Sequence, residues 1–296
     1  MTAQIISGTE IAKQIREELK QEIAELKDKH NLVPGLATVL VGEDPASQVY
    51  VGQKEKTSLA LGIYSERHDL PAETSQDELL TLIDKLNKDP KIHGILVQLP
   101  LPKHLNETEV LYAIDPKKDV DGFHPVNVGK LMIGEPDYLP CTPHGIQQLL
   151  IRSGVKTEGA EVVVVGRSNI VGKPIAIMML QKKAGANATV TVCHSRTPDL
   201  ARFTRQADIL VVAIGRPRAI TADMVREGTV VIDVGVNRVP DPTKKSGFRL
   251  VGDTDFEALS EKVEAITPVP GGVGPMTVAM LMWNTVVAAE FQAGPA

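Results

Sequence analysis

Tyr50 and Lys54 stand four positions apart in Tyr50-Val-Gly-Gln-Lys54. Asp44-Pro45 ahead of them is a helix start, and Gly62 beyond them is a helix stop. Residues four apart share one helix face. A polar-tipped ring and a titratable amine would therefore face the same space. A lysine amine, ordinarily titrating near ~10.4, becomes a useful acid or base when burial lowers its pKa. On spacing alone, an ordinary half-exposed helix face is the simpler reading.

A second chemistry-bearing stretch is Val165-Gly-Arg-Ser-Asn-Ile-Val-Gly-Lys-Pro174, which follows a strand pattern and opens a helix pattern. Glycines there let backbone N–H groups approach a phosphate at a helix N-terminus. The G-x-G-x-x-G fingerprint is absent, because Arg167 and Ser168 occupy its second and third positions. The Walker loop fails too: five residues separate Gly166 from Gly172, and Pro174 follows Lys173. A tight turn that only packs the helix remains open. The next strand ends Val192-Cys193-His194-Ser195-Arg196, without the acid that holds a ribose 2′-hydroxyl in NAD sites. Ser195, Arg196 and Arg167 could together hold the 2′-phosphate of NADP, since Arg is the preferred planar phosphate ligand. The alternative is two solvated surface arginines.

The elements that must position these residues read as two alternations. Ser7-Gly8-Thr9-Glu10 is a capping-box pattern. Ile11, Ile15, Leu19, Ile23 and Leu26 then recur at helical spacing. Residues 36–41 form a strand pattern, 79–86 a helix and 92–98 a strand ended by Pro100 and Pro102. Residues 115–140 read as a long irregular stretch, dense in Gly, Pro and Asp. A helix beginning at Thr142-Pro143 runs through Leu150. Strands at 162–165, 189–192, 209–213 and 230–233, with a helix from Pro174 to about Lys183, suggest a doubly wound nucleotide-binding domain. Residues 243–247 read as a polar insertion, and Pro275 starts a terminal helix returning to the first domain. The fold class is thus α/β with two domains: 1–140 plus 275–296 as an α/β substrate domain, and 141–274 as a Rossmann-like domain.

The chain has 296 residues, 43% hydrophobic and 23% charged, as soluble globular proteins do. Its net charge of −5 and 3% aromatic content argue against nucleic-acid binding. The first ten residues show no secretory pattern, and residues 278–291 are too short and too polar for a bilayer span. Two cysteines, Cys141 and Cys193, make no disulfide framework, so a reducing cytoplasm is the simplest setting. Both read as small packed residues. The scattered histidines include no H-E-x-x-H, and no metal site is expected.

Six segments in order carry a resemblance: Tyr50-Val-Gly-Gln-Lys54; Val97-Gln98-Leu99-Pro100-Leu101-Pro102; Lys118-Asp119-Val120-Asp121-Gly122; Cys141-Thr142-Pro143-His144-Gly145; the 165–174 turn; and Pro268-Val-Pro-Gly-Gly-Val-Gly-Pro-Met-Thr277. Over essentially the whole chain, this pattern resembles the bifunctional methylenetetrahydrofolate dehydrogenase/methenyltetrahydrofolate cyclohydrolase family of the bacterial FolD type. The resemblance implies oxidation of 5,10-methylenetetrahydrofolate with NADP⁺, then hydrolysis of the methenyl cation to 10-formyltetrahydrofolate, with no metal. It implies a homodimer through the NADP domain. By the same resemblance, Lys54 matches the catalytic lysine and Gln98 the glutamine that sets its protonation. Tyr50 matches the ring that stacks on the aminobenzoyl group. Asp121 matches the acid that pairs with the pterin. Pro270, Gly271 and Gly272 match the loop lining the folate. Gly166, Arg167, Ser168, Gly172, Ser195 and Arg196 are the candidate cofactor residues. Asp119 reads as a structural turn acid, and His124 as a hydrogen-bonded loop histidine or a catalytic group. Two alternatives fit parts of the pattern. One is a cyclohydrolase with weak dehydrogenase activity, against which Arg167 and Ser195 argue. The other is a different two-domain NADP-linked dehydrogenase, against which Asp121 and the 270–275 loop argue.

Overall fold

β1 (Gln4–Ile5) leads into α1 (Gly8–His30). The Ser7 hydroxyl accepts the Glu10 N–H at 3.3 Å, as an N-cap should. The five apolar residues of the α1 stripe are all buried. β2 (Gly35–Val41) is buried at every position, as a strand inside a parallel sheet must be. α2 (Pro45–Leu61) begins where the Asp44 carboxylate accepts the Ser47 N–H at 2.8 Å, and ends at Gly62 in the left-handed region. β3 (Tyr64–Leu70), α3 (Gln76–Lys88), β4 (Gly94–Val97), α4 (Glu107–Ala113) and α5 (Pro125–Ile133) follow. This computed structural model describes residues 2–244 and 247–293.

Residues 14–141, with the chain from 278 onward, form one compact unit. Its sheet has the order β3-β2-β4, all parallel. Ala37, Val39, Ile95 and Val97 of that sheet pack with Leu79 and Ile83 of α3. β3 carries no apolar pattern in the sequence. It is a charged edge strand, held by Arg67, whose Nε donates to Asp69 at 2.9 Å and Nη1 to Glu55 at 3.2 Å. The stretch 115–140 is less irregular than its composition suggests, because α5 lies inside it. The His124 ring accepts the Val126 N–H at 3.2 Å to start that helix, and Gly134 ends it. Buried Lys118 donates to the Leu86 and Asp89 carbonyls, closing the C-terminal end of α3.

Residues 1–13 and 142–277 form the other unit. After α6 (Cys141–Arg152) come β5 (Glu161–Val165), α7 (Gly172–Leu180), β6 (Thr189–Cys193), α8 (Leu200–Thr204), β7 (Ile209–Val212), β8 (Val230–Asp233), β9 (Asn237–Pro240), β10 (Phe248–Val251), α9 (Phe256–Ser260), β11 (Ala265–Ile266) and α10 (Val273–Ala293). Six strands pair in parallel in the order β1-β11-β8-β7-β5-β6. The chain leaves β5 to one side for β6 and to the other for β7, a switch point of the doubly wound kind. The structure departs here from the reading that gave residues 1–140 to the first domain. β1 pairs with β11, so residues 1–13 pack with the second unit. A two-residue strand has too little pattern to show this in sequence. α10 starts at Val273, two residues ahead of Pro275. The expected 243–247 insertion joins β9 and β10 of an antiparallel hairpin, with Lys245 and Ser246 outside the described residues, as are residues 294–296 of the terminal segment.

Candidate active site

The fold positions the Lys54 amine through two neighbouring elements. α2 presents Tyr50 and Lys54 on one face, with Tyr50 exposed and Lys54 half-buried. Gln98 follows β4, and its N–H continues the sheet by donating to the Val39 carbonyl at 2.8 Å. Its side-chain Nε2 donates to the Leu99 carbonyl at 2.7 Å, which orients the amide. Oε1 is thereby turned to accept from Lys54 Nζ at 2.9 Å. Burial around the amine lowers the Lys54 pKa, against the raising influence of Asp121 and Cys141.

Asp121 lies beside that amine. Burial pushes its carboxyl up to about 6, while Lys54 pulls the other way. Each group is thus shifted by burial towards its neutral form, and their mutual attraction opposes the shift. The Cys141 thiol donates to the Val120 carbonyl at 3.3 Å, and Asp121 is also within its hydrogen-bonding reach. Burial pushes that thiol well above its ordinary value, so it remains an uncharged donor. Asn284 of α10 donates to the Val120 and Leu139 carbonyls at 2.7 and 2.8 Å, fixing the backbone on which Asp121 sits. The sequence presents Cys141 only as a small packed residue, and Asn284 only as a lone asparagine in an apolar helix.

Asp119 is buried, and its Oδ2 accepts from the His124 N–H and the Asn127 amide, each at 2.8 Å. It is the turn acid the sequence suggested. His124 is engaged as the cap of α5.

Pro270, Gly271 and Gly272 lie in the other unit, between β11 and α10. The Gly271 carbonyl accepts the Thr9 N–H at 3.1 Å. A Cβ on Gly8 would lie 1.7 Å from the Gly272 carbonyl oxygen. The loop is therefore seated against the first turn of α1 by backbone alone.

In the same unit, a cavity of about 390 Å³ opens where β5, β6 and β7 end. Gly166, Arg167, His194, Ser195, Ala213, Ile214 and Arg216 are among its lining residues. Gly166 has φ +134°, and a Cβ there would meet the Ala213 carbonyl at 2.2 Å. The Ser168 hydroxyl accepts the Val171 and Gly172 N–H groups at 3.1 and 3.2 Å, so it shapes the turn itself. Of the predicted cofactor residues, Gly166, Arg167 and Ser195 meet at the cavity, while Ser168 and Gly172 build the turn behind it. Arg196 does not line it; its N–H donates to His194 Nδ1 at 3.1 Å. Arg216 lines the cavity and was not singled out in the sequence, since Gly215-Arg216-Pro217 resembles any polar loop. The lining includes two arginines and no carboxylate, a donor set that fits a phosphorylated dinucleotide at a switch point. Among the described residues, no group of three or more His, Cys, Asp or Glu is placed to hold a metal ion.

Known proteins match most of the chain in two stretches. Residues 6–121 match the tetrahydrofolate dehydrogenase/cyclohydrolase catalytic domain, and residues 140–293 match the NAD(P)-binding domain of that name. The "Bifunctional protein FolD" of Syntrophus aciditrophicus is 65% identical over 99% of this chain and 100% of its own length. The crystal structure of the bifunctional FolD enzyme from Campylobacter jejuni is 48% identical, covering 98% of this chain and 99% of that one, with a TM-score of 0.92. The Trypanosoma brucei enzyme, solved with NADP cofactor and inhibitor, is 42% identical over 99% of each chain, with a TM-score of 0.93. With both units matched and identities this high along nearly its full length, the chain belongs to the tetrahydrofolate dehydrogenase/cyclohydrolase family.

Proposed function

We infer that this chain oxidises 5,10-methylenetetrahydrofolate to the 5,10-methenyl cation with NADP⁺, and then hydrolyses that cation to 10-formyltetrahydrofolate. Family membership supplies the reaction class. The observation that carries the hydrolytic half is the Lys54–Gln98 hydrogen bond at 2.9 Å, made by an amine whose pKa burial has lowered. NADP⁺, when bound, supplies the hydride acceptor. Arg167 and Ser195 would hold its 2′-phosphate, and the Gly166 turn lets its pyrophosphate approach backbone N–H groups. Ser168 and Gly172 keep that turn in shape, and Arg196 holds the neighbouring His194 turn through its N–H.

Lys54 moves the protons of hydrolysis. With one N–H committed to Gln98, the neutral amine directs its lone pair elsewhere and can take a proton from the adding water. The resulting ammonium returns that proton to the departing folate nitrogen as the ring opens. The adduct's hydroxyl proton, the net proton released, passes to the freed amine and on to solvent as the formyl C=O forms. Asp121, as carboxylate, accepts the paired N–H groups of the pterin edge. Tyr50 stacks its exposed ring on the aminobenzoyl group. Pro270, Gly271 and Gly272 offer backbone for close approach to the folate. Residues 14–141 and the terminal helix thus serve the folate chemistry, and residues 142–277, apart from the 270–272 loop, the cofactor.

The same reading makes the protein a cytoplasmic homodimer. Its two cysteines are free and buried, which suits a reducing compartment. β6 is an edge of the six-stranded sheet with Val192 exposed, and a second copy would cover that edge. Among the described residues, no helix is long and apolar enough to cross a membrane. A spectrophotometric assay with methylenetetrahydrofolate and NADP⁺, followed by acid conversion of formyl product back to the methenyl cation, tests the reaction. NADP⁺ reduction with accumulating formyl product is expected. Absence of both with folded protein would remove the assignment.

A further inference from the structure

The turn after β7 walls the dinucleotide cavity, yet it has no secondary structure to hold it. Its first part, residues 214–216, is held by one carboxylate. Asp253 is fully buried beneath the turn. Its Oδ2 accepts the N–H groups of Ile214 and Gly215 at 2.7 and 2.9 Å. Its Oδ1 accepts the Arg216 N–H and the Asn237 amide, both at 2.9 Å. Three consecutive backbone N–H groups thus converge on one side chain, as in an anion nest whose anion belongs to the protein. Ile214 and Arg216 both line the cavity.

Asp253 is itself held in place. Its N–H donates to Asp233 Oδ1 at 2.9 Å, and Asp233 Oδ2 accepts from the Thr254 N–H at 2.9 Å and hydroxyl at 2.6 Å. Asp233 ends β8, so the chain of bonds runs from the sheet to the cavity wall. The Ile220 N–H closes the far end of the loop on the Asp253 carbonyl at 3.1 Å.

We propose that Asp253 is a positioning residue for cofactor binding, setting Ile214 and Arg216 on the wall of the NADP cavity through the backbone of the turn. The proposal rests on the assignment of that cavity to NADP. Asp253 touches no reacting atom, so its loss should act on cofactor affinity and not on the folate chemistry. Asparagine is the discriminating replacement. It offers one acceptor oxygen where the carboxylate offers two, and its amide would face backbone donors.

The test is the full-length Asp253→Asn protein, measured for both activities beside Arg167→Ala. The expected result is a KM for NADP⁺ raised about tenfold or more with dehydrogenase kcat within about twofold. Cyclohydrolase activity on supplied methenyltetrahydrofolate, which consumes no NADP⁺, should stay within about twofold of the parent. A merely structural role would lower both activities together, and that result overturns the proposal. An unchanged KM in Asp253→Asn with a raised KM in Arg167→Ala overturns it while leaving the cavity assignment standing. Unchanged values in both variants overturn the cavity assignment and the proposal with it. If Asp253→Asn does not fold, Gly215→Ala strains the same turn. Gly215 has φ +67°, and its added Cβ meets no atom within 4 Å. A several-fold rise in KM with cyclohydrolase spared is expected there, and no change overturns the proposal.

Discussion

Gln98 holds the Lys54 amine at 2.9 Å through an amide whose other end is fixed to the Leu99 carbonyl at 2.7 Å. The protonation state of the lysine is therefore open to whatever replaces Gln98. A carboxylate there would favour the ammonium and raise its pKa. The Gln98→Glu variant should lose cyclohydrolase rate at neutral pH and recover part of it at higher pH, as its rising limb moves up. A pH–rate profile superimposable on the parent's would show that Gln98 does not tune the amine.

Asp121 has opposite consequences for binding and for folding. Its carboxylate is the predicted pterin acceptor and predominates above its pKa of about 6. Folate affinity should fall as pH drops through that value. Asp121→Asn should cost on the order of 2–3 kcal/mol of folate binding and lower both activities. The stability sign is the reverse. A raised carboxyl pKa means the folded state binds the proton more tightly than the unfolded chain, so stability falls as pH rises towards 6. The ligand-free Asp121→Asn protein should melt no lower than the parent at pH 8. Calorimetry alongside folate titration checks both halves, and unchanged folate affinity would leave Asp121 a turn residue.

Arg167 is exposed at the mouth of the cavity that Ser195 also lines. Replacing Arg167 with Ala should raise the KM for NADP⁺ far more than that for NAD⁺, because only NADP⁺ carries the 2′-phosphate. Equal effects on both cofactors would detach Arg167 from that group.

Gly8 meets the Gly272 carbonyl so closely that an added methyl must displace backbone. Overpacking of this kind costs about 1–3 kcal/mol or more. Gly8→Ala should lower the melting temperature and reduce folate affinity by shifting the loop at Pro270–Gly272. A variant with parental melting temperature and parental KM for folate would show that the loop is not seated by this contact.

The parts of this molecule legible in its sequence are those where pattern and burial coincide. The α1 stripe, the apolar run of β2 and the four strands β5 to β8 announce themselves by period. β3 does not, because Tyr64-Ser-Glu-Arg-His-Asp-Leu70 is held at an edge by ion pairs and backbone bonds rather than by apolar burial. β1 and α5 escape for related reasons: one is two residues long, and the other starts at a proline behind a histidine cap. At the site, Tyr50 and Lys54 follow from helical spacing, whereas the Lys54–Gln98 bond joins residues 44 apart in sequence. The roles of Cys141, Asn284 and Asp253 become visible only when the fold brings distant backbone groups to them, and that of Arg216 only when the cavity forms.

If Lys54 supplies the protons of hydrolysis, removing its amine should separate the two activities. Lys54→Met keeps most of the stem and removes the amine, so packing should persist. Both rates measured on one folded preparation decide the matter. General acid–base groups contribute typically ~10²–10⁴-fold, so the cyclohydrolase should fall by at least about two decades while the dehydrogenase falls much less. Near-full cyclohydrolase activity in the variant would show that Lys54 does not supply those protons.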